Sequence, residues 1–254
     1  MFLSRLSLVF FLMAGMISFG GQVRAQEQMM TAGFQFKPLF SSKFFNTGPE
    51  SRSVQGVNFT VTPEGGYCMG MVLRRGLTDT WSVESGINYV KRNYSIDIQD
   101  SANSVNGSFS MVSYDVPLLG LVFIQLSEHI FMDVGLGVSL DFFPSDLRSK
   151  TDVYEHYSAR KSWFSPAVLA NLGWEYRTEK SGYFYLGASY HRPFDYIYGT
   201  YLGYPDLRPL NSSVKTEPPI TLSGNFLTFD IRYFFHSDPL KKKKKVRKND
   251  PRTR

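Results

Sequence analysis

Two serine–histidine pairs are the residues best suited to chemistry in this chain. His156 is followed two positions later by Ser158, and Ser189 is followed two positions later by His191. A histidine that accepts the proton of a serine hydroxyl makes that oxygen a nucleophile, provided that an acidic group orients the imidazole. Neither spacing is a recognised motif, and the chain has no phosphate-binding loop, dinucleotide fingerprint or metal-ligand spacing. We therefore expect a protein without enzymatic activity, cofactor or metal.

Charged residues form a second set, and they lie at alternate positions of otherwise apolar segments. Such a set could line a selective channel, or it could be a network of ion pairs, because buried charges must be paired. Both signs are present, and this favours the network. The set comprises Lys37, Arg74, Glu84, Asp115, Asp133, Asp141, Glu175, Asp230 and Arg232.

The segments that carry these charges alternate with a period of two. From Ile130 to Phe142 every even position is apolar, and the odd positions are mostly small or acidic. Alternation over thirteen residues predicts a strand with one apolar and one polar face, longer than the strands of soluble sheets. Four other segments repeat the pattern, two fit it less cleanly, and one, which ends near Ile124, is apolar on both faces in its second half. We therefore predict eight strands.

The connections between these strands alternate in length. Short ones lie near Gly76, Ser127 and Lys180, and long polar ones cover about 41–64, 93–108, 144–162 and 194–223. A strand, a long loop, a strand and a short turn, repeated four times, predict an all-β, eight-stranded antiparallel up-and-down barrel with its long loops at one end. The aromatic loop 194–213 suggests a ligand-binding or adhesive surface, because binding residues concentrate in loops.

Aromatic residues near the strand ends indicate which face of the barrel is outside. They are typical of the girdles that flank the lipid-facing band of an outer-membrane barrel, where the interior is polar and both termini are periplasmic. A secreted, lipocalin-like cup is the alternative. Eight strands leave an interior only wide enough for side chains, so we expect a plugged lumen, with a small pore as the alternative. The aromatic residues are Trp81, Tyr89, Trp174, Tyr176, Tyr233 and Phe235.

The two ends of the chain differ in character from the barrel. Residues 1–25 read as a signal peptide, with a short positive region, an apolar run and a small-x-small cleavage site after Ala25. The barrel then covers residues 26–236, and residues 237–254 form a basic tail that we expect to be disordered in the periplasm. The full chain has 28 Lys and Arg against 22 Asp and Glu, and nine of these cations follow Ser237. We expect the tail to meet a periplasmic anion rather than nucleic acid. Its core is Lys241, Lys242, Lys243, Lys244, Lys245, Arg247 and Lys248.

Two adjacent strands resemble a known family. The segments "LRRGLTDTWSVESGINYVKR" and "SYDVPLLGLVF" are similar to those of the PorT-like outer-membrane β-barrel family of Bacteroidota. The resemblance implies an integral outer-membrane barrel that contacts lipid and supports protein secretion. Apart from this resemblance, the serine–histidine pairs leave a lipid A-modifying enzyme as a further alternative. The last strand, ending in Tyr233 and Phe235, is similar to the aromatic signal read by the barrel-assembly machinery. The similarity rests on Trp81, Gly86, Asn88, Tyr89, Tyr114, Asp115, Pro117, Leu118 and Leu119.

Overall fold

The computed structural model describes residues 30–41, 45, 48–101, 103–178, 181–205 and 213–236. The proposed signal peptide and the basic tail lie outside these residues. No helix among them is long and apolar enough to cross a membrane. The strands are β1 (Met30–Phe40), β2 (Glu50–Val54), β3 (Val57–Gly76), β4 (Trp81–Gln99), β5 (Ser104–Gln125), β6 (Ile130–Phe142), β7 (Leu147–Lys150), β8 (Glu155–Arg160), β9 (Phe164–Arg177), β10 (Tyr183–Pro193), β11 (Tyr198–Pro205), β12 (Ser213–Lys215), β13 (Ile220–Leu222) and β14 (Phe226–Phe234).

Eight of these strands close into a barrel. The ring runs β1-β14-β10-β9-β6-β5-β4-β3, and pairing of β3 with β1 closes it. Every pair is antiparallel, and Gly33 is opposite Phe234 on one side and Val72 on the other. Strands that follow one another in the ring also follow one another along the chain, so the predicted up-and-down barrel is confirmed.

The barrel is apolar outside and charged inside. On its outer surface Leu136 is 59% exposed and Trp174 is 51% exposed, whereas the inward-facing Glu175 and Asp230 are completely buried. A lipocalin-like cup would show the opposite polarity, with its apolar residues inside. Closure of the ring also removes the sheet edges that lipid does not tolerate. The protein is therefore an outer-membrane β-barrel.

Aromatic side chains lie in a row at each end of the lipid-facing band. At the end of the barrel where the described part of the chain begins and ends, the Tyr233 ring is 5.1 Å from that of Phe184 and 5.6 Å from that of Phe235. At the opposite end the rings of Phe36, Tyr67, Tyr89 and Tyr114 follow one another at 6.3, 6.1 and 5.9 Å. These rows are the interfacial girdles expected of a membrane barrel.

The long connections are not the polar loops that we expected from the sequence. β3, β4 and β5 continue well beyond the girdle, and β2 forms a hairpin with β3. The regions 144–162 and 194–223 contribute β7, β8 and β11 to β13, which form a second, five-stranded sheet. We call this assembly, made of β2, β7, β8, β11–β13 and the outer parts of β3–β5, the cap. It lies at the end of the barrel opposite the termini, which is the extracellular end of an outer-membrane barrel.

The cap has its own hydrophobic core, and this is why the polar connections fold. In the outer parts of β3 and β4, and in β13, the apolar residues turn inward and the Asn, Thr and Ser residues between them are more exposed. β8 differs, because its buried side chains are His156 and Ser158. Apolar burial of this extent offsets the entropy of ordering the long connections. The core consists of Val57, Phe59, Val61, Tyr94, Ile96, Ile98, Met111, Phe143, Tyr154, Ile197, Tyr198, Leu202, Tyr204, Ile220 and Leu222.

Candidate functional site

The lumen holds all nine charged residues singled out from the sequence. Eight of them are buried, and the ninth, Lys37, has a side chain that is 12% exposed. Most are joined in one chain of ion pairs that crosses the barrel from strand to strand. Two further arginines belong to the lumen that we did not predict, Arg92 and Arg177. Arg177 continues the alternation of β9 by one step of two, at the end of the strand, and Arg92 continues that of β4 by two steps beyond Asn88. This continued alternation was the signal in the sequence for both.

The half of this chain of ion pairs that lies nearer Met30 and Phe235 is centred on Arg74. Its guanidinium pairs with Glu175 from across the barrel and, at 3.1 Å, with Glu84 on the neighbouring strand. Arg177 Nε pairs with the other oxygen of Glu175 at 2.5 Å. Each carboxylate therefore faces cations on both sides, which is the arrangement that makes buried charge tolerable.

The half nearer the cap is centred on Arg232. Its Nη1 lies 2.5 Å from Glu84 Oε1, and its Nη2 lies 2.6 Å from Asp230 Oδ2. Lys37 Nζ lies 3.3 Å from the same Asp230 oxygen. Ser189 also donates a hydrogen bond to Asp230, at 2.5 Å. The chain of ion pairs is thus continuous from Arg177 to Lys37.

Aromatic rings close the lumen beneath the ion pairs. The guanidinium carbon of Arg177 lies 3.8 Å from the centroid of Phe131, and that of Arg74 lies 4.0 Å from the centroid of Phe234. Both guanidinium groups also approach Phe123, at 5.0 and 5.1 Å. Cation–π contacts of this kind are strongest where water is excluded. The periplasmic end of the lumen is therefore filled with side chains.

A separate polar cluster occupies the lumen directly below the cap. Asp115 on β5 is directly opposite Asp141 on β6. His191 Nε2, from β10, lies 3.0 Å from Asp141 Oδ1, and Arg92 Nη2 lies 3.8 Å from Asp141 Oδ2. Ligand atoms of the two aspartates and the histidine all lie within 4.8 Å of one another. Asp133, the remaining predicted charge, lies outside this cluster, and neither of its oxygens has a hydrogen-bond partner among the described residues.

The two serine–histidine pairs do not form a catalytic triad in the part of the chain that the structure describes. His156 shares hydrogen bonds with Ser158, at 2.8 Å, and with Ser149, at 3.0 Å, but with no carboxylate. His191 is bonded to Asp141, whereas Ser189 is bonded to Asp230 and Asn171. His156 is also buried in the cap, where burial lowers its pKa from 6.5 to about 4. Its hydrogen bonds therefore serve the packing of the cap.

The outer surface of the cap carries an open cleft. Tyr157 on β8 is paired with Tyr201 on β11, and their rings stack at 6.2 Å between centroids. The cleft beside them has a volume of about 350 Å³, and Arg148, Lys215 and Glu217 contribute to its lining. This is an amphipathic surface, since aromatic faces and charges of both signs are accessible together. The sequence suggested binding in the region 194–213, but residues 206–212 lie outside those that the structure describes.

The comparisons with known proteins support the fold alone. The outer-membrane protein OprG from Pseudomonas aeruginosa aligns with a TM-score of 0.51 and 15% identity, over 84% of this chain and 99% of OprG. The outer-membrane protease OmpT from Escherichia coli aligns over 81% of this chain and 92% of its own, with 7% identity. Its TM-score of 0.27 is too low to support a structural relationship. No protein-family model and no curated protein sequence matches this chain. The chain therefore has the fold of an outer-membrane β-barrel.

Proposed function

We propose that the protein is a non-conducting, non-enzymatic outer-membrane barrel with a structural or interaction role. The observation that carries this proposal is the continuous chain of ion pairs from Arg177 to Lys37, which fills the lumen between a ring of aromatic side chains and the cap. A water-filled pore would need free space along this path. A lipid A-modifying enzyme would need its nucleophile and base at the lipid-facing surface, but both serine–histidine pairs are in the interior.

Planar bilayer recording tests the closed lumen. The wild-type protein is expected to show no steady single-channel conductance. The double variant Arg74→Ser, Arg232→Ser removes two of the three arginine side chains from the ion-pair chain and should conduct if the lumen opens. Heat-modifiable gel migration checks that this variant has folded. Regular conductance steps from the wild-type protein would refute the proposal. Mass spectrometry of lipid A from a deletion strain is expected to show no change.

We infer further that the protein acts as a PorT-like component that supports protein secretion. This inference rests on the resemblance of the segments in β4 and β5, including Trp81, Asn88 and Asp115. The basic tail would then bind an anionic periplasmic partner, because both Met30 and Phe235 lie at the same end of the barrel. Crosslinked affinity purification from outer membranes, with the full chain and with a chain lacking residues 237–254, tests this directly.

Two results are expected from that purification. The full chain should retain a partner that the shortened chain loses, and the yield should fall steeply as salt is raised, since exposed charges are screened within about 8 Å at physiological ionic strength. A deletion strain should also retain cargo proteins inside the cell. A partner that binds equally without the tail, or independently of salt, would contradict the electrostatic role.

A second function, ligand binding at the cell surface, is favoured by the cleft beside Tyr157 and Tyr201. Stacked aromatic rings with accessible charges suit a ligand that is flat on one side and polar on the other. The double variant Tyr157→Ser, Tyr201→Ser should abolish adhesion or ligand capture by whole cells. Tyr196→Ser is the matched control, because Tyr196 is also exposed but lies outside the cleft. Equal loss in both variants would count against the cleft.

A further inference from the structure

The polar cluster below the cap brings together two carboxylates, and the neighbouring cations do not neutralise both of them. Asp115 and Asp141 are directly opposite on adjacent antiparallel strands, a position where like charges repel. Arg92, 3.8 Å from Asp141, offsets one of them. Lys37 lines the same cavity as Asp115, but its ammonium forms its ion pair with Asp230, at 3.3 Å. One negative charge of the pair is therefore left for a bound cation to balance.

We propose that Asp115, Asp141 and His191 form a binding site for a divalent transition-metal ion of the Zn²⁺ class. An ion of this class binds imidazole nitrogen and carboxylate oxygen at about 2.0–2.2 Å, so two of its ligand atoms in a tetrahedral site are about 3.3–3.6 Å apart. His191 Nε2 and Asp141 Oδ1 are 3.0 Å apart, so they need to separate only slightly to bind one ion. Asp115 belongs to the same cluster, in which one ligand atom from each of the three residues lies within 4.8 Å of the other two.

A buried carboxylate oxygen of this cluster that lacks a hydrogen-bond partner also favours a bound metal ion. Asp115 is 94% buried, and its Oδ1 has no hydrogen-bond partner among the residues that the structure describes. A buried acceptor of this kind costs free energy unless something binds it. Asp115 and His191 line a partly enclosed cavity of about 20 Å³ together with Lys37, and this is space for about one water molecule. The site thus offers three protein ligands and a solvent position.

The surrounding structure holds the three side chains in place. They extend from β5, β6 and β10, three strands of a closed barrel. The His191 ring stacks on Phe226 at 4.4 Å with the two planes 11° apart, which fixes its orientation. Arg92 also packs over Phe226 and approaches Phe143 of the cap core. Because an imidazole is one of the ligands, the site should prefer Zn²⁺ or Co²⁺ to the hard cations Mg²⁺ and Ca²⁺.

Metal analysis of the refolded, full-length protein tests this site. The chain is unfolded with a chelator present, refolded into detergent with Zn²⁺, with Mg²⁺ or without metal, and passed through a desalting column. Refolding in the presence of the ion allows it to enter before the cap closes. Elemental analysis is expected to find one Zn²⁺ per chain and no retained Mg²⁺. Refolding with Co²⁺ should give visible absorption bands typical of a nitrogen–oxygen ligand set.

Matched variants distinguish the site from adventitious binding. Asp115→Asn, Asp141→Asn and His191→Gln should each lose the bound ion, whereas Asp133→Asn, which changes a buried lumenal carboxylate outside the cluster, should keep it. Should the three variants fail to fold, the wild-type Co²⁺ spectrum and its reversal by a chelator decide the matter. Wild-type protein that retains well under one Zn²⁺ per chain would overturn the proposal. So would equal loss of the ion from Asp133→Asn, because the ion would then lie elsewhere.

Discussion

His156 makes the cap sensitive to acid. The side chain is 1% exposed, shares hydrogen bonds with two serine hydroxyls, and stacks on Phe109 of β5 at 4.2 Å. It therefore joins the second sheet to the extended barrel strands. Burial lowers its pKa from 6.5 to about 4, because the charged imidazolium loses hydration in this position. The perturbation to apply is a change from pH 7.5 to pH 5.

The size and sign of the effect follow from this pKa. The folded cap holds a neutral imidazole, whereas the opened cap takes up a proton near pH 6.5. The stabilisation is thus complete above pH 6.5 and is lost as the pH falls towards 4. Linkage between protonation and folding gives a loss of about 2 kcal/mol at pH 5. That loss raises the opening equilibrium of the cap about 30-fold.

Hydrogen exchange measured by mass spectrometry reads this opening directly. Peptides that cover β8 and β11 should lose protection at pH 5, after correction for the intrinsic pH dependence of exchange, while peptides of β6 and β9 should not. The His156→Gln variant keeps a neutral polar side chain and should lose most of this dependence on pH. An identical pH dependence of β8 in the wild type and in His156→Gln would refute the reasoning, since the titrating group would then be another one.

Three other predictions concern the lumen and the cap. Glu84→Ala leaves two buried guanidinium groups without their shared carboxylate and should lower the free energy of unfolding by about 3 kcal/mol or more, measured by urea titration in lipid vesicles. Cys68 faces the lumen and is 3% exposed, so a maleimide should label it only after denaturation. Gly107→Val places a side chain where the Tyr154 hydroxyl lies and should make the cap sensitive to protease, whereas Gly203→Ala, which makes only ordinary contacts, should not.

The period of two predicted the barrel and the polarity of its faces, because that pattern depends only on which side of the strand meets lipid. The cap could not be predicted in the same way. In β5, the segment from Ser104 to Ser110 has polar residues at most positions, and it forms a strand because Met111 and its neighbours meet a sheet that is distant in the sequence. The sequence also could not predict which charged residues of the lumen form ion pairs with one another. Arg74 and Glu175 are 101 residues apart, and only the closure of the ring brings them together.

The core of the cap also gives the assembly of the protein a direction. Its apolar residues come from seven separate stretches of the chain, from Val57 to Leu222, so it can form only after all of them have crossed to the cell exterior. The connections can then return through the ring of eight strands only if this core unfolds again. Apolar burial outside the cell therefore opposes withdrawal of the strands and favours insertion without any nucleotide hydrolysis.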